Sequence, residues 1–281
     1  MLIAQITDVH LGFEPDSPDE PNVQRLEATL AAILAGRPRP DLLVVTGDLT
    51  EHGDAASYRR LRNILSGFPL PSHLCLGNHD LRDVFRSVFA ETPTADGFVQ
   101  YVVEDAPVRL IVLDTLEEGR HGGGFCETRA AWLAARLAES RRPTLLVLHH
   151  PPIETGIAWM TVGDEEAWVR RLAGTISGHD HLIGAVCGHI HRPITTVWRG
   201  LPVSVCAATA PQLALNLSPL DPEAPDGRAL VVQESPAYAL HRVSAAGLMT
   251  HYATVEPAAV LARYDERMQP LMRLLDAERR G

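Results

Sequence analysis

Lysine is absent from the 281-residue chain: all 25 basic residues are arginine, which excludes Schiff-base and other lysine chemistry. Thirty-five acidic residues set a formal net charge of −10, and no basic run interrupts them. Nucleic acid, whose phosphates need clustered cationic side chains, is therefore not expected as the main partner. Cysteine is sparse. Cys75, Cys126, Cys187 and Cys206 lie far apart without a CxxC pair, which argues against a disulfide framework or a thiolate metal site and for reduced, mostly buried thiols. No window approaches ~18 uninterrupted apolar residues, so no membrane span is expected. Met1 leads straight into LIAQITD, with no basic segment, apolar stretch or cleavage site before it, and the expected compartment is the cytoplasm.

What remains is 46% hydrophobic and 21% charged, the balance of a globular chain with one large core. Short runs rich in branched residues predict strands at 2–7, 42–46, 73–76, 99–103, 110–113, 145–148 and 183–187. Helical patterns at 23–35, 55–65, 82–89, 127–140 and 165–176 alternate with them, the signature of a buried sheet flanked by helices. After Gly188 the candidate strands crowd together (195–199, 202–206, 229–233, 238–243, 249–254), with hairpin-like turns at Arg199-Gly200 and Ala246-Gly247. They read as a second, antiparallel-rich sheet layer. From Pro257 to Arg280, Val260, Leu261, Tyr264, Met268, Leu271, Met272 and Leu275 recur at helical spacing. Core packing is expected of this segment, with a homo-oligomer contact as the alternative.

Five polar motifs interrupt the apolar pattern, each directly after a strand: Asp8-Val9-His10, Gly47-Asp48, Gly77-Asn78-His79-Asp80, His149-His150 and Gly188-His189-Ile190-His191. Ligands of open α/β sheets bind beyond the carboxyl ends of the strands, so five strand ends can converge on one crevice. The i, i+2 spacing in Asp8-x-His10 and His189-x-His191 lets two side chains leave one side of an extended segment and chelate. Two carboxylates, one amide oxygen and four imidazoles, with no thiolate, suit Fe, Mn, Zn or Co. Seven ligands are too many for one tetrahedral ion and about right for two ions sharing a carboxylate, so the expected centre holds two divalent metals.

The order and wording of these blocks resemble the calcineurin-like metallophosphoesterase superfamily, whose signature runs D-x-H, G-D, G-N-H-D/E, H, G-H-x-H. All five blocks stand here without a substitution, over about residues 1–192. Within the superfamily the likeness is to bacterial class III cyclic-nucleotide phosphodiesterases and the glycerophosphodiesterases related to them. Gly47-Asp48-Leu49-Thr50 with Gly53, His149-His150-Pro151-Pro152 and Ser235-Pro236-Ala237 through His241 are similar to the latter, although a late-loop histidine of theirs is missing near Pro211-Gln212. The resemblance implies an α/β fold: a four-layer αββα sandwich of two mixed sheets flanked by helices, with the metal site at the carboxyl ends of the strands. A hydrolase domain is expected over 1–256, and the helical spacing after it makes 257–281 a helical extension. The resemblance further implies that Asp8, His10 and His191 hold one metal, Asn78, His149 and His189 the other, and that Asp48 bridges them. His79 then faces the substrate, and Asp80 stands where an acid orients that histidine. The attack that the resemblance implies is that of a metal-bridging hydroxide in line on phosphorus.

The implied activity is hydrolysis of small phosphodiesters, glycerophosphodiesters or 3′,5′-cyclic nucleotides; a 3′,5′-cyclic-AMP-specific enzyme is the narrower alternative. A nuclease or a non-catalytic scaffold on the same fold are the other readings, the first opposed by the acidic balance and the second by the complete ligand set. Substrate selectivity is expected in 12–23 with Phe13, 115–126, 153–163 with Trp159, and 207–219. Of the remaining histidines, His52, His73, His121, His241 and His251 read as surface or satisfied-core residues. Gly178-His179-Asp180-His181 reads as a loop some 20 Å from His189, at the wrong end of the sheet. Gly122-Gly123-Gly124 reads as a flexible stretch, and Asp114-Thr115 as a buttress or a turn.

Overall fold

Runs of four or five consecutive buried residues, as in LLVVT, RLIV and TLLV, form strands covered on both faces. The computed structural model describes residues 1–14, 17, 19–104, 107–244, 247–256 and 259–280. The chain runs β1 (Leu2–Ile6), α1 (Pro21–Ala35), β2 (Leu42–Thr46), α2 (Ala55–Ser66), β3 (Ser72–Cys75), α3 (Arg82–Val88), β4 (Tyr101–Val103) and β5 (Arg109–Val112). It continues through α4 (Glu127–Ala138), β6 (Thr144–Val147), α5 (Ala167–Ile176), β7 (Leu182–Cys187), β8 (Ile194–Trp198) and β9 (Leu201–Val205). The short strands β10 (Gln212–Leu213) and β11 (Val231–Val232), the pair β12 (Ala237–Ser244) and β13 (Gly247–Thr254), and α6 (Gln269–Arg280) complete it.

One sheet has the order β13-β12-β1-β2-β3 and the other β4-β5-β6-β7-β9-β8. The first is parallel over β1-β2-β3 and antiparallel at its β12-β13 edge, and the second is parallel over β5-β6-β7-β9 and antiparallel at both edges. Alternation along the second sheet separates its two faces. Leu110, Val112, Leu145 and Val147 join the core built on the first sheet and α1 to α3, while Ile111, Leu146 and Leu148 join a second core with α4 and α5. Two sheets therefore lie face to face between helical layers, as expected.

Two expectations fail. The late strands do not form a layer of their own: β8 and β9 extend the second sheet, and β12 and β13 extend the first. Strand periodicity reports burial but not which open edge a strand will join. The C-terminal segment does not pack into the core either. Its helix is confined to 269–280 and buries no side chain, and Leu261 is 95% exposed. Of the Ala246-Gly247 turn, Ala246 lies outside the described residues, as do Pro15, Asp16 and Pro18 of the 12–23 segment and Pro257 of the C-terminal one.

The parallel strands of both sheets end at one edge. Beyond it Asp8 N–H donates to the Gly47 carbonyl (3.1 Å), and Val9 and His10 N–H to that of Asp48 (2.9 and 3.0 Å), which ties the first two motifs together. His189 N–H donates across the sheets to Asp8 Oδ2 (3.0 Å).

Candidate metal centre

Backbone conformation brings the motif side chains together. Asp8, His10, Asp48, His189 and His191 all have positive φ, between 47° and 71°; among the described residues only Asp96 and Arg199 share this outside glycine. Such left-handed bends cost roughly 1–3 kcal/mol each in a non-glycine residue and gather where function needs them. The i, i+2 pairs thus converge through tight bends and not along extended strand. Gly188 is required between the sheets, since a Cβ there would stand 1.9 Å from Thr7 Oγ1 and 2.8 Å from the Thr46 carbonyl.

Hydrogen bonds fix the imidazole tautomers. His149 Nδ1 lies 2.7 Å from the Thr46 carbonyl, which can only accept, so Nδ1 carries the proton and Nε2 a lone pair. The same logic applies to His191, whose Nδ1 donates to the Pro211 carbonyl (2.8 Å), and to His10, whose Nδ1 donates to Glu51 Oε2 (2.7 Å). The Nε2 lone pairs of His10 and His191 then face each other at 3.2 Å, with Asp8 Oδ1 3.3 Å from His191 Nε2. The lone pair of His149 faces Asn78 Oδ1 at 3.2 Å. Asp48 Oδ2 stands beside both sets, 3.7 Å from His10 Nε2 and 3.4 Å from His149 Nε2, while its Oδ1 accepts the His79 N–H (2.8 Å). Acceptors that converge in this way need a proton or a cation between them. The residues present fit metal ions, and their ligand atoms fall into groups within 4.8 Å of one another: Asp8, His10 and His191; Asp8, Asp48 and His149; His149, His150 and His189; and His10, Asp48 and His79.

The titration behaviour reflects the same crowding. Burial acts against every charge here, yet His149 is pushed up to about 9 by the Asp48 carboxylate, and His191 is raised by Asp8. Both carboxyls are held down in return: burial would raise them, but His191 lowers Asp8 and His149 lowers Asp48 well below the ordinary range. His189 and His150 move well downward, through burial and then through neighbouring imidazoles. A bound cation displaces the protons that these pairs otherwise share.

Asp80 and His79 depart from the expected pairing. Asp80 is buried and accepts from Gly77 N–H (2.9 Å), Leu49 N–H (3.2 Å) and Tyr58 O–H (2.8 Å), with burial and then the Asp48 charge raising it to about 7. With its oxygens committed to the loops that follow β2 and β3, it clamps those loops and does not orient His79. That histidine is held by Glu51, whose carbonyl accepts from Nδ1–H (2.9 Å), and it packs edge-on against His10 with centroids 4.7 Å apart. Sequence reasoning missed Glu51, although it follows Asp48 by three residues on the same loop. It also missed His121, which stands against His189 (centroids 4.9 Å) with Nδ1 3.2 Å from the Asn78 amide nitrogen, joined across 43 residues by no sequence signal. His150 pairs with Thr115 through Nδ1 (2.9 Å), which makes Thr115 a buttress. The segment 179–181 precedes β7, at the opposite end from His189. Phe13 is 63% exposed, whereas Trp159 packs against the second core.

A family model described as calcineurin-like phosphoesterase matches residues 1–193. The chain is 36% identical over 267 residues to a "Probable cyclic nucleotide phosphodiesterase" of Rhodopseudomonas palustris, covering 89% of this chain and 91% of that protein. It is 30% identical over 257 residues to a "Probable glycerophosphodiester phosphodiesterase GpdQ" of Arcobacter nitrofigilis, covering 89% and 92%. Among solved structures, a dimetal phosphatase from Danio rerio superposes with a TM-score of 0.63 at 16% identity, over 91% of this chain and 99% of that one, a likeness of fold.

Proposed function

The chain belongs to the calcineurin-like phosphoesterase family, and from that premise we propose that it is a metal-dependent hydrolase of small phosphodiesters, either glycerophosphodiesters or 3′,5′-cyclic nucleotides. The observation that carries the reading is the position of Asp48 Oδ2, beside both the His10 and the His149 lone pairs. In this reading Asp8, His10 and His191 would hold one divalent ion and Asn78, His149 and His189 a second, with Asp48 serving both; Fe, Mn, Zn and Co all suit the donors. Two such ions, when bound, supply positive charge to the phosphoryl oxygens and acidify a water for attack. Glu51, the Thr46 carbonyl and the Pro211 carbonyl take the Nδ1 protons of His10, His149 and His191, so each ring presents its lone pair without reorganising. His79, held by Glu51 and partly open to solvent, meets the substrate and stabilises charge or protonates the leaving oxygen. The hydrolase domain is assigned to 1–256, with the segment after it, whose helix is 269–280, as an extension. All four cysteines are unpaired, which supports a reducing compartment such as the cytoplasm.

The test is kcat/KM of the Mn-reconstituted enzyme for glycerophosphoethanolamine and 3′,5′-cyclic AMP side by side, with plasmid DNA as a control. At least one small diester is turned over, and chelation abolishes turnover until Mn is restored. A preference of about a hundredfold names the branch, and comparable values describe a broad diesterase. Failure on both diesters with nicking of the plasmid replaces this reading with a nuclease.

A further inference from the structure

Asn78 offers a metal an oxygen on one side of its amide and turns a pair of N–H donors to the other, and the two ends differ by a rotation of 180° that costs little unless a neighbour opposes it. We propose that His121 is that neighbour: a positioning residue that sets the Asn78 amide and thereby the affinity of the second metal half-site. The inference rests on the two-ion reading above.

Four contacts support it. Asn78 Nδ2 lies 3.2 Å from His121 Nδ1, while Asn78 Oδ1 lies 3.2 Å from the lone pair of His149. His121 Nε2 lies 3.2 Å from the Met160 sulfur, a weak acceptor that takes the ring proton and leaves Nδ1 as the lone pair facing the amide donor. The ring also packs on His189, at 4.9 Å between centroids, so it touches two candidate ligands of one half-site. The loop that carries His121 is seated and not merely flexible. A Cβ on Gly123 would stand 2.8 Å from His150 Cβ, so the glycine lets the backbone close onto that buried ring, which Thr115 holds from behind. With the amide reversed, an N–H would point at the ion and a carbonyl oxygen at the His121 lone pair, and both contacts would become repulsive.

The experiment titrates Mn²⁺ into the metal-free full chain by calorimetry, with circular dichroism checking the fold of each variant. For His121→Ala, affinity at one site falls about 10- to 100-fold while the other keeps its affinity. His121→Asn, whose amide oxygen replaces the Nδ1 acceptor, stays within about threefold of the parent at both sites. In an Asn78→Asp background, where the carboxylate has no orientation to choose, His121→Ala costs less than about twofold. Unchanged affinity at both sites in a folded His121→Ala chain overturns the proposal, as does equal weakening of both. A parent chain that binds one ion overturns the two-ion reading beneath it, whereas a parent that binds two and hydrolyses diesters leaves that reading standing whatever His121 does.

Discussion

Asp48 uses its two oxygens for different tasks: Oδ1 takes the His79 N–H, and Oδ2 stands beside both histidine lone pairs. His79 contributes an imidazole whose Nδ1 is held by the Glu51 carbonyl, and although it lies beside His10 and Asp48 the motif resemblance sets it apart from the ligands. The two substitutions should therefore separate. Asp48→Ala abolishes loading of two ions, whereas His79→Ala keeps the metal content and lowers kcat by about 10²- to 10⁴-fold. Metal analysis beside steady-state kinetics reads both, and equal metal loss in the two variants sinks the division of roles. At this scale the candidate ligands were legible because each belongs to a short polar block directly after an apolar run. Glu51 and His121 were not legible, because what marks them is the ring each one touches.

Between the sheets runs a buried polar network. Gln5 Nε2 on β1 donates to Thr46 Oγ1 on β2 and to the Cys187 carbonyl on β7, each at 2.8 Å, so its oxygen accepts from His241 Nε2–H on β12 (2.8 Å). His241 Nδ1 is then left to accept from Thr250 O–H on β13 (2.9 Å), and Thr250 also meets Ser204 on β9 (3.1 Å). Burial lowers His241 from 6.5 to about 3. Between those two values the unfolded chain binds a proton that the folded chain refuses, so this contribution to stability is complete above pH 6.5 and declines as the pH falls toward 3. His241→Leu orphans the Gln5 oxygen and costs about 1–3 kcal/mol at pH 8. The gap narrows at pH 5, where the variant has no imidazole to keep neutral. Urea unfolding at both pH values checks this, and an equal gap at the two refutes it. The hydrophobic period revealed the strands but not this network, since Gln5 and His241 are 236 residues apart.

Across the whole molecule, a chain of net charge −10 carries a site whose donors call for cations, so the attraction for an anionic diester comes from bound metal and not from surface arginines. The C-terminal segment adds little to the fold: none of the α6 side chains is buried. A chain ended after Glu256 keeps its thermal midpoint to within about 2 °C and keeps its kcat/KM. A drop of about 10 °C would show that the extension holds the core together.

The sequence by itself determined the alternation of strands and helices, the five motif blocks and the class of chemistry, because burial period, turn residues and donor type are local properties of a chain. Tertiary structure alone decided how the late strands divide between two sheets, which histidine tautomers leave lone pairs facing inward, and that Glu51, His121 and Gln5 act where they do. Each of these depends on a partner that is remote in sequence and is brought near when the two sheets close.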